Sequence, residues 1–248
     1  MIDHWTFYLA AIPAVLIFGI SKGGFGGGLG IAAVPLMAIV VAPSDAAGIL
    51  LPLLVLMDLI GLYAYRRRWD RRVVAVMLPG ALAGILLGSL AFGYLNDDVV
   101  RVVLGLIAVG FTADYFLRDK SRIEARPQRP VAGAIWGSLA GFTSTIAHAG
   151  GPPANIYLLP LKLDKSIFVG TMVVLFAAIN AAKVLPYAVL GLLDWTNLAT
   201  SLTLAPVAAL GMLAGLWLHD KVDQLLFYRL CYVFVLLTGL KLVYDGLI

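Results

Sequence analysis

Two glycine-rich breaks in otherwise apolar sequence carry the residues that could do chemistry. The first break spans residues 19–30 and contains seven glycines together with Lys22. The second break, in the other half of the chain, is the run of residues 148–153, His-Ala-Gly-Gly-Pro-Pro. Inside a bilayer, an unwound backbone persists only where protein buries it or where it lines a wet cavity. The two breaks therefore predict a binding site near the bilayer centre.

The chemistry expected at these breaks is anion binding by the backbone. A helix is expected to start after each break, near Gly30 and near Pro153, and helix starts carry unpaired N–H groups and a partial positive charge. Two such starts aimed at one point would attract an anion, which glycines allow the main chain to approach closely. The alternative is tight helix packing by small residues, which the glycine density of residues 19–30 makes the weaker interpretation. The glycines expected at the ligand are Gly23, Gly24, Gly26, Gly27, Gly28, Gly150 and Gly151.

Charged side chains within the apolar segments are few, and such residues usually have a function. Lys22 lies in the first break, and Lys183 lies in a predicted helix with Asn180 one turn away on the same face. We expect these three side chains to bind the substrate and to make the site selective for anions. Asp58 could neutralise either lysine or carry a coupling proton, with a purely structural ion pair as the alternative. For Lys183 the alternative is that its side chain extends to the outer membrane interface.

His148 is the histidine expected inside a break, where it could contact the substrate. A lone histidine is more often a satisfied hydrogen-bonding residue than a ligand or proton carrier, so that interpretation stays open. The neighbouring hydroxyls of residues 143–145 could bind an oxyanion or cap exposed backbone, and Asn155 could add a donor to the site. His4 and His219 are expected at the two membrane surfaces.

The composition places the chain among polytopic membrane proteins. Apolar residues make up 61% and charged residues 13% of its 248 residues, and the mean hydropathy is +0.95. At about 20 residues per spanning helix, this length allows about eight to ten crossings and leaves little for a soluble domain. The single cysteine, Cys231, excludes an intramolecular disulfide and a cluster of thiolate metal ligands. We expect no catalytic residue, no metal and no cofactor.

Basic residues set the orientation. Arginines cluster in residues 66–72, and arginines and a lysine cluster in residues 118–129, so the positive-inside rule places both loops in the cytoplasm. The turns at residues 95–98 and 194–195 contain no basic residue, as outside turns should. This topology explains the net charge of +4 without a nucleic-acid partner.

Matching residues at fixed spacing indicate an internal duplication. Pro79, Gly84 and Gly88 recur 127 residues later as Pro206, Gly211 and Gly215. Gly48 and Asp58 recur 122 residues later as Gly170 and Asn180. The predicted units are a first membrane repeat at residues 1–117, a cytoplasmic linker at 118–130 and a second membrane repeat at 131–248.

The predicted fold is an all-α polytopic membrane protein with two inverted repeats. Each repeat has a broken pair of short helices followed by three transmembrane helices. The predicted segments are 5–20, 30–42, 45–65, 73–94 and 98–117, then 131–146, 153–160, 166–190, 196–217 and 223–246. Because five is an odd number of segments, the second half begins on the opposite side of the membrane and is inverted relative to the first. The two breaks can then meet near the midplane. The alternative is that each broken pair forms one crossing. The protein would then have eight crossings, and its halves would be parallel.

Four features together carry a family resemblance. They are the early glycine break, the loop of residues 66–68 with three arginines, the Gly-Gly-Pro-Pro sequence at 150–153 and the two-fold repeat. In these features the chain resembles the TauE/SafE family of sulfite and organosulfur-anion exporters. The resemblance spans essentially the whole chain. It implies a multi-pass permease of the inner (plasma) membrane for sulfite, sulfoacetate or a related small sulfur oxyanion.

The function expected from these observations is secondary transport, with export as the favoured direction and alternating access to a midplane anion site. An anion channel is the alternative, and an intramembrane enzyme using His148, Asp58 and Ser144 is a weaker one, because the sequence has no metalloprotease or hydrolase motif. The expected partners are a small anion and the lipid bilayer. A coupled proton or sodium ion and a second copy in a homodimer are further candidates.

Overall fold

The computed structural model is all-helical throughout the part of the chain that it describes, which is residues 2, 4–27, 33–38, 40–92, 97–117 and 125–247. The helices are α1 (Trp5–Phe25), α2 (Ala33–Ala38), α3 (Pro43–Ala64), α4 (Arg71–Ala91), α5 (Asp97–Leu117), α6 (Pro130–Ala147), α7 (Gly151–Leu158), α8 (Lys165–Val189), α9 (Trp195–Lys221) and α10 (Gln224–Leu247). A 3-10 turn, Leu159–Leu161, follows α7.

Six of these helices are long and apolar enough to cross a membrane: α1, α3, α4, α8, α9 and α10. Their outward faces carry exposed apolar side chains, among them Leu86 and Leu202. In water such a surface would be unfavourable, whereas hydrocarbon accommodates it. These features indicate a multi-pass membrane protein, as the composition predicts.

Each of the ten predicted segments corresponds to a helix within the described ranges, but the end of the first is wrong. We expected the first helix to end at residue 20, and α1 continues to Phe25. Lys22, Gly23 and Gly24 are therefore helical instead of unwound. The reason is packing, because a Cβ at Gly23 or Gly24 would run into the main chain of α9. Contact between the two backbones offsets the low helix propensity of glycine.

The start of the second short helix also differs from prediction. α7 begins at Gly151, two residues before the expected start, with Pro152 and Pro153 in its first turn. Proline is tolerated there because the first amide groups of a helix have no intrahelical partner. The expected start near Gly30, like Gly28, lies outside the described residues.

Each helix that ends at a break packs along a long helix from the other half of the sequence. α1 packs along α9, and α6 packs along α4. Glycines make both contacts close: a Cβ at Gly84 would clash with the Ser138 carbonyl, and one at Gly211 would approach the Leu16 carbonyl. α3 and α8 contribute many of the fully buried side chains between these pairs.

The ends of α1 and α6 have the same geometry. Gly26 ends α1 with a positive φ of 70°, and the Gly27 N–H donates to Ser21 O over 2.9 Å. His148 ends α6 with a positive φ of 51°, and the Ala149 N–H donates to Thr143 O over 3.1 Å. The residues in each corresponding pair are 122 positions apart.

A tyrosine satisfies a carbonyl near each of these ends. The Tyr65 hydroxyl donates to Gly23 O over 2.8 Å, and the Tyr187 hydroxyl donates to Thr145 O over 2.7 Å. Carbonyls in the last turn of a helix lack an intrahelical donor. Both donors and both acceptors again stand 122 positions apart, so the duplicated spacing extends to hydrogen bonds.

Candidate functional site

A cavity of about 30 Å³ lies between the two breaks, enough space for water or a small ion. The first break, the second break and the helices α3 and α8 all contribute to its wall. Its lining residues are Phe18, Lys22, Gly26, Gly27, Leu54, Ser144, His148, Gly151, Met172, Val173, Phe176 and Asn180. The breaks therefore meet at one cavity.

Lys22 brings a cation to this cavity. It lies in the last turn of α1, where the negative end of the helix dipole favours a positive charge. Its Nζ is 2.8 Å from Asp58 Oδ1, and both side chains are buried. Of the two lysines expected at the site, Lys22 is the one that lines the cavity.

Asp58 is held on its other oxygen by Asn180, whose Nδ2 donates to Asp58 Oδ2 over 2.7 Å. That bond leaves Asn180 Oδ1 buried without a hydrogen-bond partner among the described residues. Asn180 lines the cavity. A buried acceptor left unpaired costs free energy, so this oxygen is a place where a bound molecule with a hydrogen-bond donor would be stabilised.

Lys183 has a different role from Lys22. Its Nζ donates to Ser144 O, to Ser144 Oγ and to His148 Nδ1, each over 2.9 Å. These acceptors use all three ammonium hydrogens. The side chain is fully buried, so the alternative that it extends to the membrane interface is wrong. Lys183 ties α8 to the end of α6.

His148 is neutral in this arrangement. Its Nδ1 accepts from Lys183, and its Nε2 lies 3.0 Å from Ala47 O, which can only accept. The partners therefore assign the hydrogen to Nε2. The ring is a satisfied hydrogen-bonding group that also lines the cavity.

The three hydroxyls beside His148 divide between two tasks. Thr143 Oγ1 contacts the Leu139 and Ala149 carbonyls, and Thr145 Oγ1 donates to Gly141 O, so both cap backbone. Ser144 lines the cavity, and its Oγ accepts from Lys183. Accepting that bond leaves the Ser144 hydroxyl hydrogen able to donate to a ligand.

The start of α7 brings one residue with a main-chain N–H to the cavity wall. Gly151 lines the cavity, whereas Pro152 and Pro153 have no N–H. The Ala154 N–H donates to Gly150 O. The predicted backbone cradle is thus reduced to the Gly151 amide and the dipole of α7.

The cluster holds more lysines than carboxyl groups. Lys22 and Lys183 lie near a single carboxyl group, that of Asp58, and His148 is neutral. Burial weakens the screening of these charges. The cavity wall is therefore suited to an anion.

The sequence-predicted residues fall into three groups. Those at the cavity are Lys22, Gly26, Gly27, His148, Gly151 and Asn180. Asp58 and Lys183 stand behind the wall and contact its residues. Gly23, Gly24, Gly150 and Asn155 do not line it, and Gly28 lies outside the described residues.

Sequence reasoning did not single out the apolar lining. Leu54 and Phe176 were missed, although they stand 122 positions apart and lie one turn before Asp58 and Asn180. Both could have been predicted from the spacing of 122 residues that also relates Asp58 to Asn180. No comparable signal marks Met172 or Val173, which are two of many apolar residues on α8.

His219 lies in the last turn of α9, and its predicted position at a membrane surface stays a prediction. Its side chain is buried, with Nδ1 3.0 Å from Gly24 O and Nε2 3.1 Å from Ser166 Oγ. Gly24 O is in the last turn of α1, where carbonyls lack intrahelical donors. His219 thus joins α9 to the end of α1. His4 is exposed.

Comparison with known proteins gives a single kind of match. The family model for the sulfite exporter TauE/SafE matches residues 11–242, which is nearly the whole chain. No curated protein and no solved structure shows a significant match. The matched span includes most of α1, both breaks and most of α10, and the family consists of membrane transporters. The chain therefore belongs to the sulfite exporter TauE/SafE family.

Proposed function

We propose that this protein is a secondary transporter that exports a small sulfur-containing anion, such as sulfite or sulfoacetate, by alternating access to the cavity between the two breaks. The observation that carries the proposal is the Lys22 ammonium at the wall of the cavity between the two breaks. The family supports an anion of this kind. The membrane potential favours anion exit by about 2.3 kcal/mol per charge per 100 mV.

The substrate would be held by a small set of donors and one acceptor. Lys22 supplies the cation, and Ser144 Oγ and the Gly151 amide supply neutral donors. Asn180 Oδ1, which has no partner among the described residues, is an acceptor and therefore suits an oxyanion that keeps one hydrogen, such as bisulfite. We propose contacts to the substrate also from Gly26, Gly27 and His148, which line the cavity.

Asp58 gives this site a means of coupling. The carboxylate and the substrate compete for the same ammonium, because Asp58 Oδ1 lies 2.8 Å from Lys22 Nζ. A proton on Asp58 would weaken the ion pair and release Lys22 to the substrate. We therefore favour a proton as the coupled ion, with a sodium ion at the same carboxylate as the alternative.

We propose that the chain consists of two inverted repeats, residues 1–117 and 131–248, joined by a cytoplasmic linker at 118–130. Support comes from the contacts repeated at a spacing of 122 residues. It comes most directly from Asp58 and Asn180, which share that spacing and touch each other. Corresponding residues meet where a two-fold axis passes between them. The helix packing agrees with this arrangement, because α1 of the first repeat packs on α9 of the second, and the corresponding helix α6 of the second repeat packs on α4 of the first.

A departure from this symmetry supports a gate on the outer side. His148 fills the space beside Ala47 near the start of α3, which the basic loops place outside. The corresponding residue near the start of α8 is Gly26, which has no side chain, and Met172 there lines the cavity. We propose that His148 closes the outer path in this conformation and that the cavity faces the cytoplasm.

Flux into and out of liposomes tests the proposal. Purified protein in vesicles loaded with sulfite or sulfoacetate should move the anion down its gradient at a rate that saturates with concentration. Absence of flux for any of a panel of small anions would overturn the transport proposal. Fast single-channel currents without saturation would favour the channel alternative, since a channel uses the same positive groups without alternating access.

A further inference from the structure

A second cavity, of about 410 Å³, lies where the chain enters α6. Its lining shares no residue with the cavity between the breaks. Arg126 and Arg129 line it, together with the apolar side chains of Trp136, Ile156 and Leu161. The cavity thus combines two guanidinium groups with an apolar wall.

Three hydrogen bonds hold the linker against the helices and so form this cavity. The Arg126 N–H donates to Pro160 O over 2.9 Å. Gln128 Nε2 donates to Asp70 Oδ2 over 2.9 Å, and the Tyr157 hydroxyl donates to Arg129 O over 3.3 Å. Because the backbone is held at three points, the cavity is built into the fold.

The charge at this cavity is positive from two sources. Arg126 and Arg129 are exposed, and neither guanidinium forms an ion pair with a carboxylate of the described residues. Arg129 is also the residue before α6, and no side chain caps that helix start. The first amide groups of a helix lack intrahelical partners and carry a partial positive charge, and Ala132 in this first turn lines the cavity. Guanidinium groups bind phosphate with two parallel hydrogen bonds.

The apolar wall decides between a dissolved anion and a lipid. Ile156 and Leu161 are buried and Trp136 is half-buried, while Val131 and Ile135 on α6 are exposed in the manner of lipid-facing residues. Tryptophan is enriched at the membrane interface, where its ring contacts both headgroups and hydrocarbon. A dissolved phosphate would use only the arginines, whereas a phospholipid would also cover the apolar wall.

We propose that this cavity binds the headgroup of an anionic phospholipid from the cytoplasmic leaflet. The lipid phosphate lies between Arg126 and Arg129, and the glycerol and first part of an acyl chain lie against Trp136. The leaflet follows from the basic loops that flank the cavity, and basic pockets on that side of membrane proteins are suited to anionic headgroups.

Native mass spectrometry of the purified protein with phosphatidylglycerol tests this assignment. The wild-type protein should retain phosphatidylglycerol and should retain phosphatidylcholine much less. The double variant R126Q/R129Q should bind phosphatidylglycerol about tenfold or more weakly, since it removes both guanidinium groups that line the cavity and would hold the lipid phosphate. The matched control is R67Q/R72Q, which removes two exposed arginines of the same cytoplasmic face and should bind as the wild type does.

Two outcomes would overturn the proposal. One is equal retention of phosphatidylglycerol by the wild type and by R126Q/R129Q. The other is displacement of the lipid by inorganic phosphate at equal concentration, which would make the cavity a site for dissolved anions. Brominated phosphatidylglycerol gives a second measurement: it should quench the tryptophan fluorescence of the wild type more than that of W136F.

Discussion

Asn180 donates a hydrogen bond to Asp58 over 2.7 Å, although the two residues are 122 positions apart. The same spacing relates the αL residues Gly26 and His148 and the capping tyrosines Tyr65 and Tyr187. The spacing of 122 residues therefore recurs in the contacts of the structure and not only in the matching residues of the sequence. Lys22 completes the group by pairing with Asp58 at the wall of the cavity.

Replacing Lys22 by glutamine should weaken binding of sulfite by about tenfold to hundredfold, because a hydrogen bond to a charged group is lost. Isothermal titration with the purified protein measures this. The control is K221Q, which removes an exposed lysine outside the site and should leave affinity unchanged. D58N should bind sulfite at least as tightly as the wild type, since it removes the competing carboxylate. Unchanged affinity in K22Q would remove this lysine from the site.

Replacing Lys183 by methionine should mainly lower stability. The change leaves Ser144 O, Ser144 Oγ and His148 Nδ1 without their donor, and each buried acceptor left unpaired costs about 1–3 kcal/mol. Thermal unfolding in detergent should show a drop of several degrees, larger than that of K221Q. A variant with wild-type stability and lost sulfite affinity would instead make Lys183 a substrate ligand.

Replacing Gly26 by alanine should reduce both stability and flux. Gly26 has a φ of 70°, and an added Cβ would lie 2.9 Å from the Phe168 ring. The left-handed conformation alone costs about 1–2 kcal/mol for a residue with a side chain. G27A is the matched control, because Gly27 has a φ of 85° but nothing within 4 Å of an added Cβ. G26A should be the less stable of the two in thermal unfolding, and equal stability would contradict the predicted clash.

Replacing His148 by glycine should open the outer path. Glycine suits the φ of 51° and removes the ring that contacts Ala47 O. Sulfite flux through H148G in liposomes should rise and lose saturation. H148N is the control, since asparagine tolerates this backbone conformation and keeps a polar side chain. Saturable flux at the wild-type rate in H148G would rule out the gate.

The sequence predicted the helices well because apolar runs, prolines and basic loops mark them directly. The sequence also singled out Gly26, His148 and Gly151, which line one cavity, since an interruption inside hydrocarbon needs a reason. Lys22 lines the same cavity, but it lies in α1 and not in an unwound segment. The end of α1 was not predicted, because only the contact with α9 decides that Gly23 stays helical.

The partners of the charged residues could not be read from the sequence either. Pairing of Asp58 with Lys22, and of Lys183 with the end of α6, depends on how α3 and α8 lie against the breaks. The spacing of 122 residues held part of this information. At this spacing Lys22 corresponds to Ser144, and Gly61 corresponds to Lys183. The end of α1 therefore has its ammonium group on α1 itself, at Lys22, whereas the end of α6 is contacted by the ammonium group of Lys183 on α8.

Density for a bound anion tests the central claim most directly. A structure determined in the presence of sulfite should show the anion between Lys22 Nζ, Ser144 Oγ and the Gly151 amide, with both breaks in contact with it. Density for sulfite at a different place, or an empty cavity at a saturating concentration, would contradict the account.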